Sequence, residues 1–300
     1  MAKNRAKKLF LNTIFSILLE IVTLICGLIL PRLILGTFGS NINGLVNSIT
    51  QFLAFISFLD LGVGSVVQSA LYKPLANEDN DEISRIYSSA QKFFRKIALI
   101  LALYIIVLLF LYPIIVRSEY SFAFIDLLII AISISSFSQY YFGIVNTLLL
   151  NSDQKNYIQY IISIITMILN IIVCVIMIKL SFSIHVIKLI SSIVLAIRPL
   201  CLNIYVKKHY KIIRNIKYDK EPIKKKWNGM AQHFAHIVLI NTDTIVLSIF
   251  STLANVSIYT VYNYVIVGVK NLLTSLTNGF LSLMASLIMA QYFFLNHLLD

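Results

Sequence analysis

The chain has 300 residues, 58% of them hydrophobic and only 13% charged, with a formal net charge of +12 and a mean hydropathy of +0.84. Soluble domains carry about 25% charged residues, so this composition excludes a water-soluble globule. The basic excess does not point to nucleic acid, because the lysines and arginines lie between long apolar runs, where they suit a membrane surface.

Apolar runs of roughly 20 residues, the length a helix needs to cross the hydrocarbon core, recur along the chain. Backbone groups cannot go unpaired in lipid, so these runs predict helices. The alternating pattern of a membrane barrel, with strands of about 10 residues, is absent. The fold class expected is all-α: a polytopic transmembrane helical bundle.

In chain order, a basic start (MAKNRAKK) precedes an apolar run over about Leu9 to Leu35. That run is too long for a signal peptide, whose apolar core spans about 7–15 residues, and it ends in Pro31-Arg32 instead of a small-residue cleavage site. A polar connection, Gly36 to Asn43, leads to a second span over Gly44 to Tyr72, which carries Asp60 and the small residues Gly62, Gly64, Ser65, Ser69 and Ala70. Lys73 to Lys96 is a charged loop. Within it Ile83, Ile86, Tyr87, Ala90, Phe93 and Phe94 recur at helical spacing and predict an amphipathic surface helix. Further spans are expected at about Ile97–Val116, Phe122–Leu150, Tyr157–Leu180 and Ile184–Val206. After the basic stretch Lys207 to Trp227 come spans at Met230–Phe250 and Ile258–Phe280, then the apolar segment Leu281 to Asp300.

The basic residues set the orientation. Lys3, Arg5, Lys7 and Lys8, then Lys73, Arg85, Lys92, Arg95 and Lys96, then Lys155, then the 207–227 stretch all fall on one side. The opposite connections hold only Arg32, Arg117 and Lys179. The N-terminus is therefore expected in the cytoplasm, and the opposite connections are too short to house a catalytic domain.

Glu20, Asp60, Arg198, Asp243 and Lys270 fall within the spans, with Asp126 and Lys188 nearer span ends. A charge at a helix centre costs about 2.5–3.5 kcal/mol on insertion scales, so these residues must line a polar path or pair between helices, as Asp60 would with Arg198. Gln68 and Ser69, Asn241, Thr242 and Thr244, and Asn263 add polar groups. Arg198-Pro199 puts a charge beside a helix breaker, which suits either a bending element or a packing kink. Gly62-x-Gly64 lacks the third glycine and the strand of a dinucleotide loop and reads as close helix packing. His233 and His236 have no third ligand in reach, so no metal is expected. No cofactor is implied either. Cys26, Cys174 and Cys201 read as packing residues. The absence of a Ser-His-Asp grouping, HExxH or P-loop argues against an enzyme and against ATP-driven transport.

A loose repeat links the first and seventh spans: Leu33-Ile-Leu-Gly-Thr-Phe-Gly-Ser followed by Asn47, and Ile245-Val-Leu-Ser-Ile-Phe-Ser-Thr followed by Asn263. With the basic linker between them, this suggests a two-lobe transporter plan: a six-helix lobe over 1–206, a cytoplasmic linker over 207–229 and a second lobe beginning at 230–300. The sequence resembles the polysaccharide-export flippases of the multidrug/oligosaccharidyl-lipid/polysaccharide superfamily. The residues that carry this are Leu30-Pro-Arg-Leu-Ile-Leu, Phe38-Gly-Ser, Asn43-Gly-Leu-Val-Asn-Ser-Ile, Thr242-Asp-Thr-Ile-Val-Leu-Ser and Leu273-Thr-Ser-Leu-Thr-Asn-Gly-Phe. Strongest is Phe58-Leu-Asp-Leu-Gly-Val-Gly-Ser-Val-Val-Gln-Ser-Ala-Leu-Tyr-Lys-Pro-Leu.

The resemblance implies a flippase that moves undecaprenyl-pyrophosphate-linked oligosaccharide repeat units across the bacterial cytoplasmic membrane by alternating access. The partners expected are the lipid-linked oligosaccharide, membrane lipids and a coupling H+ or Na+. By charge, Arg32, Arg198 and Lys270 would bind the pyrophosphate, with Gln68 and Asn263 as polar contacts, while Glu20, Asp60 and Asp243 would line the cavity or couple the ion. Members of that family are longer, and Leu281 to Asp300 is unlike the loop expected there, so a truncated second lobe is also expected. The alternatives are a cation-coupled drug exporter of the same superfamily, a polysaccharide polymerase or ligase, and a nonfunctional truncated remnant.

Overall fold

The computed structural model describes residues 2–60, 62–116, 119–213, 216 and 242–274. All regular structure among them is helical, and five helices are long and apolar enough to cross a membrane. They fit a multi-pass membrane protein. Their outward faces agree: Leu99, Leu103, Phe110 and Ile114 of one helix are each more than 60% exposed, a continuous apolar stripe that water would not tolerate and lipid does.

Helix α1 (Ala2–Ala54) contains the first two spans in part, merged across a sharp kink at Gly39. The polar connection expected over Gly36 to Asn43 is therefore reduced to one residue. Gly39 has φ of 84°, a left-handed value that only glycine adopts freely, and it turns the chain with no loop. The second span then breaks. Its helix passes into a 3-10 turn at Phe55–Asp60 and restarts as α2 (Val63–Ala76) after Gly62, whose φ is 73°. Gly62 is thus explained by its backbone conformation, where the sequence pointed to close packing.

Helix α3 (Asn80–Ile115) runs 36 residues, about 54 Å at 1.5 Å per residue and well beyond the roughly 30 Å hydrocarbon core. Asp79 caps it, accepting from the Glu82 amide at 3.0 Å, and Asp81 and Glu82 in its first turn complement the helix dipole. Here the structure departs from the expected surface helix. Residues 83–94 form the same rod as the third span, and Ile83, Ile86, Tyr87, Ala90 and Phe94 are buried in the bundle core. Periodicity reports an apolar face; whether lipid or protein covers it is decided by α2 and by residues 145–150 and 202–206, most of them far away in sequence.

The fourth span comprises α4 (Phe122–Ser138), a π-helical segment (Gln139–Gly143) and α5 (Ile144–Ser152). A tight turn joins it to α6 (Asn156–Lys179), and α7 (Ile184–His209) follows. Two more helices, α8 (242–250) and α9 (253–274), belong to the region expected as a second lobe. The remainder of that region, the basic linker beyond Ile216, His233 and His236, Asn241 and Leu281 to Asp300 lie outside the described residues.

Two buried clusters stack along the bundle. One, at the end where Asp153 lies, joins Val67, Leu71, Tyr87, Phe94, Leu149 and Leu202. The other, at the Gly39 end, joins Ile34, Leu45, Ile49, Leu53, Tyr112 and Leu128. Tyr104 packs against both and so marks mid-depth. Its hydroxyl donates to the Phe52 carbonyl at 2.9 Å, just before the break in the second span, where a helix end leaves carbonyls without intrahelical partners.

Helix α9 lies in the angle between the two arms of α1. Asn43 donates to Ser257 Oγ at 2.8 Å and Asn47 to Thr260 Oγ1 at 2.9 Å on one arm. On the other, Tyr264 donates to the Thr23 carbonyl at 2.7 Å. Glycines make this approach possible. A Cβ on Gly44 would overlap the Leu253 carbonyl, one on Gly27 the Tyr264 ring, and one on Gly268 the Leu24 side chain. Small residues with interhelical hydrogen bonds are the usual means of joining helices in lipid, where apolar contact alone offers little gain. The Gly44 clash is with backbone, which cannot rotate away. Gly44→Ala is therefore expected to destabilise the folded chain by about 1–3 kcal/mol. Gly36→Ala, which meets nothing within 4 Å, should leave the unfolding midpoint in detergent unchanged; equal midpoints for the two variants would contradict this packing.

Candidate functional site

Polar side chains gather in three places. The first surrounds the π-helical segment. A π turn interrupts the regular ladder and commonly occurs at functional sites. Here it projects Gln139, whose Oε1 accepts from Arg198 at 3.1 Å. The Arg95 guanidinium lies 5.1 Å from the Tyr141 ring centroid, and its buried Nε has no hydrogen-bond partner among the described residues. A Cβ on Gly143 would meet both Gln139 Oε1 and Pro199, so the glycine leaves room for the Arg198 contact and the Pro199 side chain alike. Two cations thus sit among aromatic and amide dipoles. Arg95, which the sequence placed with the charged loop, belongs to this group; a helix continuing from residue 80 into the third span was the signal that would have placed it.

The second place is a pocket of about 270 Å³ in the angle of α1. It is lined by Asn43 and Asn47 on one arm, Cys26 and Pro31 on the other, Asn170 of α6 and Lys188 of α7, with Tyr264 of α9 completing the wall. Sequence reasoning put Lys188 near a span end and gave none of these asparagines a binding role. The Gly39 kink that brings residues 26–34 and 43–47 together leaves no mark in the hydrophobic pattern.

The third place is at the opposite end, in the turn between α5 and α6. Asp153 Oδ2 accepts from Lys155 at 2.7 Å and from Tyr210 at 2.5 Å, and Oδ1 accepts from Lys8 at 3.0 Å. Lys8 also donates to the Asp153 carbonyl, and Asn12 bridges the Gln154 carbonyl and the Tyr157 amide. This ties the start of α1, the α5–α6 turn and the end of α7 together. Burial alone would raise the Asp153 pKa, but hydrogen bonds from Lys155, Tyr210 and Lys8 outweigh it and hold the carboxyl below its ordinary value. Burial, reinforced by the Asp153 carboxylate, pushes the Tyr210 phenol upward.

The residues named from sequence are scattered. Arg32 and Lys270 are exposed on α1 and α9. Arg198 is half-buried and bonded to Gln139. Gln68 and Asn263 are half-buried on α2 and α9, and Glu20 is half-buried on α1. Asp243 is exposed and accepts from Tyr259 at 2.7 Å. The side chain of Asp60 lies outside the described residues. Arg32, Arg198 and Lys270 line neither the 270 Å³ pocket nor a second, wider one of about 1000 Å³ at the Gly39 end, between residues 114–120 and 249–254. Among the described residues, no group of three or more His, Cys, Asp or Glu could hold a metal ion. Comparison with family models, with curated proteins and with solved structures found no match.

The Asp153 network gives a pH prediction. Its folded pKa lies below the unfolded value of about 3.9, so its stabilisation is complete above that value and is lost as pH falls through the folded pKa. Asp153→Asn is expected to lower stability by about 2–4 kcal/mol. Thermal unfolding should show the same deficit throughout about pH 5–8; a deficit that shrinks across that range would mean that another group carries the effect.

Proposed function

We propose that the chain is a flippase-type exporter that moves an undecaprenyl-pyrophosphate-linked oligosaccharide across the bacterial cytoplasmic membrane, with its N-terminus in the cytoplasm. One observation carries this reading. The stretch that most resembles the export flippases, Phe58 to Leu75, is the stretch where the second span is broken, between Ala54 and Val63. Helices interrupted at mid-depth are a recurring means of placing polar backbone and side chains on a transport path. The sugar headgroup would pass between the six-span region and the region containing α8 and α9, with its lipid tail in the bilayer. Arg32, Arg198 and Lys270 would meet the anionic pyrophosphate in turn, with Gln68 and Asn263 as polar contacts. Glu20, Asp60 and Asp243 would serve H+ or Na+ coupling. The exposure of Arg32 and Lys270 supports a role at the edges of the path, and among the described residues Arg198 has a neutral partner, Gln139, and no carboxylate.

A second reading, a cation-coupled exporter of cationic compounds, is favoured by the wider pocket, where Glu119 is the one charged lining residue among the described residues. The two separate on substrate. Proteoliposomes containing the chain should translocate a fluorescent undecaprenyl-pyrophosphoryl sugar, read by quencher accessibility. Arg198→Ala should slow translocation about tenfold or more, the loss of one charged hydrogen bond, with smaller losses for Arg32→Ala and Lys270→Ala. Normal rates in all three variants would overturn the pyrophosphate assignment. Ethidium efflux without sugar translocation would select the second reading.

A further inference from the structure

Lys188 is the feature that the export reading leaves unused. It begins the second turn of α7, and its half-buried side chain lines the 270 Å³ pocket in the angle of α1. No hydrogen bond or ion pair to Lys188 exists among the described residues, and no described carboxylate interacts with it. The ionisable neighbour it does have is the Cys174 thiol, which already donates to Asn170 Oδ1 at 3.7 Å.

An ammonium lining an apolar pocket inside a bundle is costly unless something compensates it, and among the described residues the walls add neutral dipoles alone. Asn43 and Asn47 each donate to α9, while the Asn170 amide nitrogen donates to no group among the described residues. Otherwise the lining is largely apolar, with Leu30, Ile34, Val46 and Ile171. One positive charge, carboxamides that donate as well as accept, and an apolar surround make a receptor for a single compact negative charge.

We propose that this pocket binds a small monovalent anion, a halide or a short carboxylate, held by Lys188 Nζ and the Asn170 carboxamide, with Asn43 and Asn47 closing the side toward α9. Pyrophosphate is a poor occupant on two counts. It carries at least two charges against one cation, and the space equals that of roughly nine waters, too little for a headgroup bearing a sugar. The site lies between both arms of α1 and α9, so the bound anion holds these elements together. It does not rest on the export reading, and its test involves no transport.

The test uses the full chain in lipid nanodiscs, with the unfolding midpoint followed at constant ionic strength as sodium gluconate is replaced by sodium bromide or by sodium acetate. A saturable rise in midpoint is expected with at least one of them. Bromide alone identifies a halide site, acetate alone a carboxylate site, and both a general monoanion site. Lys188→Met should raise the half-saturating concentration about tenfold or more, while Lys188→Arg should retain binding. If Lys188→Met does not fold, Asn170→Leu, which leaves the charge in place, should weaken binding about threefold. The proposal is overturned by the absence of a saturable rise with either salt, by a rise unchanged in the Lys188 or Asn170 variant, or by pyrophosphate stabilising through Lys188 more strongly than both.

Discussion

Hydrocarbon offers no water to satisfy polar groups, and that constraint organises this bundle. Tyrosine is its main instrument. Along α3, Tyr87 donates to Asn146 Oδ1 at 2.8 Å, Tyr104 to the Phe52 carbonyl at 2.9 Å, and Tyr112 to Ser48 Oγ at 2.7 Å. Each phenol sends a polar tip to a different neighbour while its ring stays in the apolar packing, as amphipathic aromatics do. Because α3 is one uninterrupted rod, these bonds fix the depth of the second span ahead of its break and that of α5 with it. Tyr112 and Tyr104 hold the Gly39 side. Tyr87 holds α5 through Asn146, which in turn donates to the Phe142 carbonyl beside the π turn.

With depth fixed by α3, direction is set by two glycines. Gly39 reverses the chain without a loop, and Gly62 restarts it after the break. The reversal opens the angle in α1 that α9 enters. The paired asparagines 43 and 47, one helical turn apart, therefore meet the α9 hydroxyls of Ser257 and Thr260 as a ladder. A side chain at Gly44 would break the ladder by spacing alone. Fold and pocket are thus consequences of the same residues, since the Lys188 pocket is what remains of the angle once Tyr264 has filled its inner part.

How far the sequence could anticipate this depends on which property was being read. The apolar helices of the first 210 residues were legible, because hydropathy and length are local, except that the first two expected spans merge at Gly39 and the second breaks after Ala54. One shared end of the bundle was legible too: Lys8 and Lys155, grouped on one side by charge counting, both reach Asp153. What lay hidden was pairing at a distance. Gln139, which carries no charge and drew no notice in the sequence, bonds Arg198 because a π turn points it inward; the Asp60 side chain, the partner expected on charge, lies outside the described residues. The amphipathic run 83–94 was read correctly as a face and incorrectly as a surface, because what covers it is α2, α5 and α7. Lys188 was passed over because its setting comes from residues 26–47, folded back on themselves at a single glycine.

The distribution of charge compensation then becomes informative in itself. The pairs Lys8–Asp153, Lys155–Asp153 and Arg85–Glu82 all lie near helix ends. The cations deeper in the bundle are held differently: Arg198 by an amide, Arg95 by an aromatic face, Lys188 beside carboxamides. A carboxylate beside any of them would cancel the charge; a neutral dipole solvates it and leaves the field intact. Cations stabilised in this way keep a positive potential available to whatever enters, and low-dielectric walls strengthen it. A bundle built only for stability would gain by pairing these groups or by replacing them with apolar ones. Retaining them against neutral partners is the arrangement expected where the missing negative charge arrives with a ligand.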